Sequence, residues 1–151
     1  MTIPGSINVP GAELALRIPQ MAPDPKTKVI VHCAGRTRSI VGAQSLINFG
    51  IPNPVCALRN GTIGWTLARQ ALSIGQSRRY PARPDATVAA SRHKAREVAD
   101  RARVKRASRD DIGRWSTQQG RTTYFFDVRS QEEYERGHVA GCGTSGEAVA
   151  S

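Results

Sequence analysis

The chain has 151 residues, with 22 Lys and Arg against 12 Asp and Glu, a formal net charge of +10, and only 5% aromatic residues. That length fits one ordinary domain, and 39% hydrophobic residues support a lean core rather than wholesale disorder. No run approaches the ~18 consecutive apolar residues of a membrane span, no basic-then-apolar leader opens the chain, and its three cysteines do not make a disulfide framework, so it reads as cytoplasmic and free of membrane contact.

Thr2 to Gly11 is rich in Pro and Gly and reads as a loop. Lys28-Val29-Ile30-Val31-His32 is a short β-branched apolar run, which predicts a buried parallel strand. Ser39 to Phe49 predicts a helix with Ile40, Ala43, Leu46 and Ile47 on its apolar side, stopped by Gly50 and Pro52. Val55 to Leu58 predicts a second buried strand, with Cys56 in the core. Asn60-Gly61 is a turn, and Ile63 to Leu72 predicts another helix. Strand, helix, strand, helix at this spacing means an α/β unit with a parallel sheet.

The charge is uneven. Residues 1–75 carry seven basic and two acidic residues, residues 76–110 eleven and four, and residues 111–151 four and six. The middle segment opens with Arg78, Arg79, Pro81, Arg83 and Pro84, a linker signature. It continues as a narrow helical stripe of Ala95, Val98, Ala99 and Ala102, which predicts a solvated surface helix. No aromatic side chain interleaves with these arginines to stack on bases, which argues against a nucleic-acid partner. Beyond it, Asp110 to Gln118 predicts a short helix and Thr122 to Val128 a strand. Ser130 and Glu133 form a capping box that starts a helix ending at Gly137-His138. The tail from Cys142 to Ser151 is small and polar and reads as disordered.

The chemistry lies in His32-Cys33-Ala34-Gly35-Arg36-Thr37-Arg38-Ser39. A cysteine stands at the carboxyl end of a strand, just before a helix, which is where open α/β sheets bind ligands. Backbone N–H groups converging in such a turn, together with the helix N-terminus, favour thiolate over thiol. Arg36 and Arg38 add positive charge that would also draw an anionic substrate. The plain alternative is a small buried cysteine at a strand end.

The stretch from Lys28 to Trp65, KVIVHCAGRTRSIVGAQSLINFGIPNPVCALRNGTIGW, resembles the second half of a rhodanese domain, a sulfurtransferase. The likeness rests on the strand, the Cys loop ending in Arg38-Ser39, the helix, the next strand, and Gly61-x-x-Gly64-Trp65. Ile3 to Pro10 is similar to the family's Ile-Pro-Gly-Ala segment. The other half of the family pattern resembles Asp127-Val128-Arg129, Glu133-Tyr134 and Gly137-His138-Val139-Ala140-Gly141, with Ala140 in place of Pro. The order is thus reversed. This implies residues 1–75 as the C-terminal half of one domain with the Cys loop, 76–107 as a basic linker and surface helix, and 108–151 as the N-terminal part of another with a disordered tail.

The fold implied is an α/β rhodanese-like parallel sheet flanked by helices. The C-terminal strand could complete that sheet in permuted order, within one chain or by strand exchange in a dimer. Pairing would relieve an open edge and the apolar strand TYFFDV. The mechanism implied is transfer of sulfane sulfur from thiosulfate or a similar small anionic donor to a thiol or cyanide acceptor, through a Cys33 persulfide. Ala34, Gly35, Arg36, Thr37, Arg38 and Ser39 would cradle the persulfide and bind the donor, with no metal or organic cofactor. Asp127, Arg129 and His138 would be structural, as would Trp65 and His32, and Cys142 a bystander. A cysteine phosphatase needs five residues between Cys and Arg, and here Arg38 is only the fifth residue after Cys33. An inactive, partner-binding remnant is the alternative of a different class.

Overall fold

The computed structural model describes residues 1–80, 86–129, 131–139 and 143–144. They form six helices and four short strands. In chain order these are α1 (Gly11–Met21), β1 (Val29–Val31), α2 (Thr37–Phe49), β2 (Val55–Ala57), α3 (Gly61–Leu67), α4 (Ala86–Arg101), α5 (Arg109–Thr117), β3 (Phe126–Asp127), α6 (Gln131–Arg136) and β4 (Gly143–Thr144). They make a mixed α/β structure in two compact units, Met1–Arg103 and Val104–Ser151. No helix among the described residues is long and apolar enough to cross a membrane.

In the first unit β1 and β2 pair in parallel, Val29 opposite Val55 and Val31 opposite Ala57. Strand alternation gives this sheet two unlike faces. One carries Val29, Val31 and Val55 against α1 and α2, where Leu14, Ile18 and Leu46 complete the core. The other carries Ile30, 56% exposed, and Cys56, also exposed. Cys56 is therefore not a core residue, because no described residue buries its face of the sheet. Burial of α2 follows Ser39, Gly42, Ala43, Leu46 and Phe49. Ile40 and Ile47, expected on the apolar side, lie one step round the helix and are more than half exposed.

Helix α1 was not signalled by the sequence, because Pro19 interrupts it. It forms nonetheless, since Leu14 and Ile18 gain burial on α2 and β1. Asn53 ties the turn that follows α1. Its buried amide donates to the carbonyls of Ala22, Asp24 and Thr27 at 3.3, 2.9 and 3.1 Å. Gly50 ends α2 with φ +74, and its N–H reaches the Leu46 and Ile47 carbonyls. The opening segment is held in place by backbone pairing of Thr2 with Ser73 and by Asn8 N–H on the Arg78 carbonyl.

Helix α4 belongs to this first unit and packs on α2. The compact units divide after Arg103. In the second unit α5 opens on a capping box between Ser108 and Asp111. The box expected at Ser130 lies outside the described residues, as do Ala140, Cys142 and the tail from 145. Of the expected strand Thr122–Val128, only Phe126 and Asp127 join a ladder. Their partner is β4, in a separate two-stranded parallel sheet. Among the described residues β3, two residues long, pairs with β4 of its own unit and is not a strand of the β1–β2 sheet, so the permuted completion expected within one chain is not seen there.

Candidate active site

Strand β1 delivers His32 and Cys33 to the carboxyl edge of the sheet, and α2 begins at Thr37. The first bond of α2 runs from Ile40 N–H to the Arg36 carbonyl at 3.2 Å. The N–H groups before it have no acceptor within the helix, so they point positive potential at the loop. The loop carbonyls turn the other way. Those of Cys33 and Ala34 accept from Thr62 and Ile63 N–H at 2.9 and 3.0 Å, in the first turn of α3. One helix thus takes the loop's acceptors while the start of another faces the sulfur.

Gly61 makes this docking possible. It sits at φ +54, and a Cβ there would lie 2.0 Å from the Cys33 carbonyl oxygen. Any side chain would force the cysteine loop away from α3. The Asn60-Gly61 turn was legible in the sequence, but the closeness of Cys33 was not.

Cys33 is half-buried. Its thiol donates to Ser39 Oγ at 3.4 Å, and Ser39 Oγ donates to the Arg36 carbonyl at 2.9 Å. Ser39 is 1% exposed, so this hydroxyl is fixed. The Cys33 pKa is lowered from the ordinary thiol value, chiefly by the Ser39 hydroxyl. Burial opposes the shift, while the backbone N–H groups of Ser39 and Gly35 and the charge of Arg38 assist it. Among the described residues neither Arg36 nor Arg38 pairs with a carboxylate.

A cavity of about 730 Å³ opens beside the thiol, lined by His32, Cys33, Ala34, Arg38 and Thr62 among others. Arg36 and Thr37 are exposed and do not line it. His32 Nδ1 is buried with no hydrogen-bond partner among the described residues. The expected loop residues therefore divide. Cys33, Gly35, Arg38 and Ser39 act on the sulfur, Ala34 anchors the loop to α3, and Arg36 contributes its carbonyl. The role of the Ser39 side chain, as distinct from its N–H, was missed. The spacing Cys-x5-Ser with the serine in the first helical turn is the signal that could have found it.

Trp65 is structural, its Nε1 donating to the Ala71 carbonyl at 2.9 Å. In the second unit Asp127, Arg129 and His138 form a local clasp. Arg129 Nε donates to both Asp127 carboxylate oxygens at 2.9 and 3.0 Å, and its Nη2 reaches the Gly137 carbonyl. The His138 ring stacks on Tyr134 at 4.0 Å. Among the described residues no three His, Cys, Asp or Glu side chains converge as a metal site would require.

Comparison with known proteins agrees with this geometry. The model of the rhodanese-like domain matches residues 1–68. The crystal structure of a thiosulfate sulfurtransferase from Pseudomonas aeruginosa is similar over 95% of this chain, with 58% sequence identity and a TM-score of 0.87. The chain spans 27% of that protein's length. No curated protein matches. With the Cys loop, parallel strands and Gly61-Trp65 helix in the expected places, residues 1–68 are similar to a rhodanese-like domain.

Proposed function

We propose that this chain carries the sulfur-transferring half-site of a thiosulfate sulfurtransferase, with Cys33 as the nucleophile. The observation that carries the reading is the Cys33 thiol on Ser39 Oγ at the start of α2, with its pKa lowered and Arg38 beside it, paired with no carboxylate among the described residues. The Cys33 thiolate attacks the outer sulfur of thiosulfate. The S–S bond of the donor breaks, and sulfite leaves with the electron pair. Arg38, aided by Arg36 at the loop's outer side, neutralises the dianion as it approaches. The N–H groups of Gly35 and Ser39, with the start of α2, hold the resulting persulfide anion. Cyanide or a thiol then takes the terminal sulfur and returns Cys33 as thiolate. A free thiol nucleophile fits a reducing compartment such as the cytoplasm.

The similarity to one longer sulfurtransferase runs through both compact units. It supports reading residues 1–75 as the end of one rhodanese-like domain, 76–107 as the connection, and 108–151 as the start of the next. The test is thiocyanate formation from thiosulfate and cyanide. The chain should turn over slowly, and Cys33→Ser should abolish it. Thiocyanate formation that survives Cys33→Ser removes the cysteine from the mechanism, and a folded wild-type chain with no turnover favours the inactive, partner-binding module.

A further inference from the structure

We propose that the outward face of α4, centred on Arg92 and Arg96, is a docking surface for an acidic helix of a partner protein. Cys33 plays no part in it. The positive charge that such a partner meets is confined to one unit. Met1–Arg103 carries 15 Lys and Arg against 5 Asp and Glu, whereas Val104–Ser151 carries 7 of each. All of the net charge of +10 therefore belongs to the first unit. A field of one sign draws partners of the other sign and speeds their encounter.

Helix α4 puts its cations to two uses. Ser91, Lys94 and Val98 are half-buried along one side of the helix, which packs on α2. From that side Lys94 and Arg101 reach the Gly50 and Asn48 carbonyls. Helix α2 itself lies on the core face of β1 and β2, so α4 is no part of the bare face that carries Ile30 and Cys56. Arg92 and Arg96 stand on the opposite side of α4, one turn apart, and both are exposed. Arg103, just past the helix end, is exposed as well. Among the described residues no carboxylate pairs with Arg92, Arg96 or Arg103. Glu97, beside Arg96 in the sequence, stands on His93 at 3.2 Å. Like charges one turn apart repel each other, so an anion laid across Arg92 and Arg96 relieves the helix.

The spacing selects the partner. Cβ atoms four residues apart on a helix are about 5–6 Å apart. Glutamates four residues apart on a second helix repeat that spacing, and each guanidinium fork can take a carboxylate through two N–H groups. From Arg92 to Arg103 the stripe runs about 16 Å, three turns of such a helix. A nucleic acid fits less well. Helix α4 has no Phe, Tyr or Trp to stack on a base, and Glu97 and Asp100 share its exposed surface, where they would face phosphate.

The experiment is fluorescence anisotropy of the whole chain with two labelled alanine-based helical peptides of equal composition. One carries Glu at every fourth position, and the other has the same glutamates bunched at one end. Salt is kept at about 10 mM, where charge acts over ~30 Å. The spaced peptide should bind about fivefold or more tightly than the bunched one, and its binding should weaken as salt rises. Arg92→Glu with Arg96→Glu should remove the preference and weaken binding of the spaced peptide about tenfold. Arg92→Gln with Arg96→Gln, which sets no new charge on α4, should remove the preference too. Arg59→Glu with Arg69→Glu changes the net charge as much as the first pair and should leave the preference intact. Equal binding of the two peptides overturns the inference. So does an equal loss in the Arg59 and Arg69 pair, which would make overall charge the cause. A 20-base-pair DNA duplex that binds more tightly than the spaced peptide at the same salt also overturns it. So does self-association of the chain that the Gln pair abolishes, since a second copy would then own the face.

Discussion

Ser39 stands between two contacts, accepting from the Cys33 thiol at 3.4 Å and donating to the Arg36 carbonyl at 2.9 Å. When Cys33 loses its proton the same hydroxyl can turn and donate to sulfur, which stabilises the thiolate and not the thiol. That is why it heads the causes that lower the Cys33 pKa. A lowered pKa keeps the nucleophile charged at lower pH. Ser39→Ala should therefore move the pH dependence of Cys33 alkylation to higher pH, toward an ordinary thiol. A hydrogen bond to a charged group contributes about 1.5–3 kcal/mol, so alkylation and sulfur transfer near neutral pH should slow about tenfold or more. An alkylation profile unchanged in Ser39→Ala would leave the backbone N–H groups and Arg38 as the main causes. Ser39→Thr, which keeps a hydroxyl, should sit nearer the wild type.

Helix α2 is held at both ends, and the second hold comes from the basic segment. Lys94 Nζ donates to the Gly50 carbonyl at 3.3 Å and lies 5.0 Å from the Phe49 ring centroid. Arg101 Nη2 donates to the Asn48 carbonyl at 2.7 Å. Two cations thus meet the carbonyls at the negative end of the helix whose positive end serves Cys33. Part of the charge concentrated in residues 76–110 is structural glue. These contacts are exposed, so Lys94→Ala with Arg101→Ala should lower stability by about 1–3 kcal/mol, and by less at high salt. Urea midpoints at two salt concentrations read this out. A loss that does not shrink with salt would point to packing of α4, not to its charges. The strand–loop–helix around Cys33 was legible in the sequence, because a β-branched run, a Cys loop and a Gly-Pro stop each have a local cause. Helix α1 was hidden by Pro19, and only tertiary burial of Leu14 and Ile18 explains it. Cys56 and Ile47 were misplaced for a related reason. Strand and helix periods tell which residues share a face, but the neighbour that covers a face decides which face is inside. The extent of β3 failed likewise, since TYFFDV has strand character throughout and only two of its residues find a ladder.

The two compact units differ in what holds them. The first buries Leu14, Ile18, Val29, Ala43, Leu46 and Phe49. In the second, no described side chain is buried, and Tyr124, Phe126 and Val128 are each more than half exposed. Its order comes from local polar closures: the Ser108–Asp111 box, the Asp127–Arg129 pair and the Tyr134–His138 stack. The Arg129 guanidinium holds the Asp127 carboxyl at about 2, below the ordinary carboxylate range, so this pair survives until pH falls toward that value. Polar closures of exposed groups contribute little against the backbone entropy of ordering a unit, whereas a buried apolar cluster does. Opening should therefore be unequal. In native-state amide exchange of the whole chain, β1, β2 and the buried turns of α2 should be the slowest to exchange. Amides of α5 and α6 should exchange through cheap local opening, at rates that do not change when Leu46→Ala weakens the first core. If α5 and α6 are as protected as α2, or slow and quicken together with it, the second unit draws its stability from burial rather than from these closures.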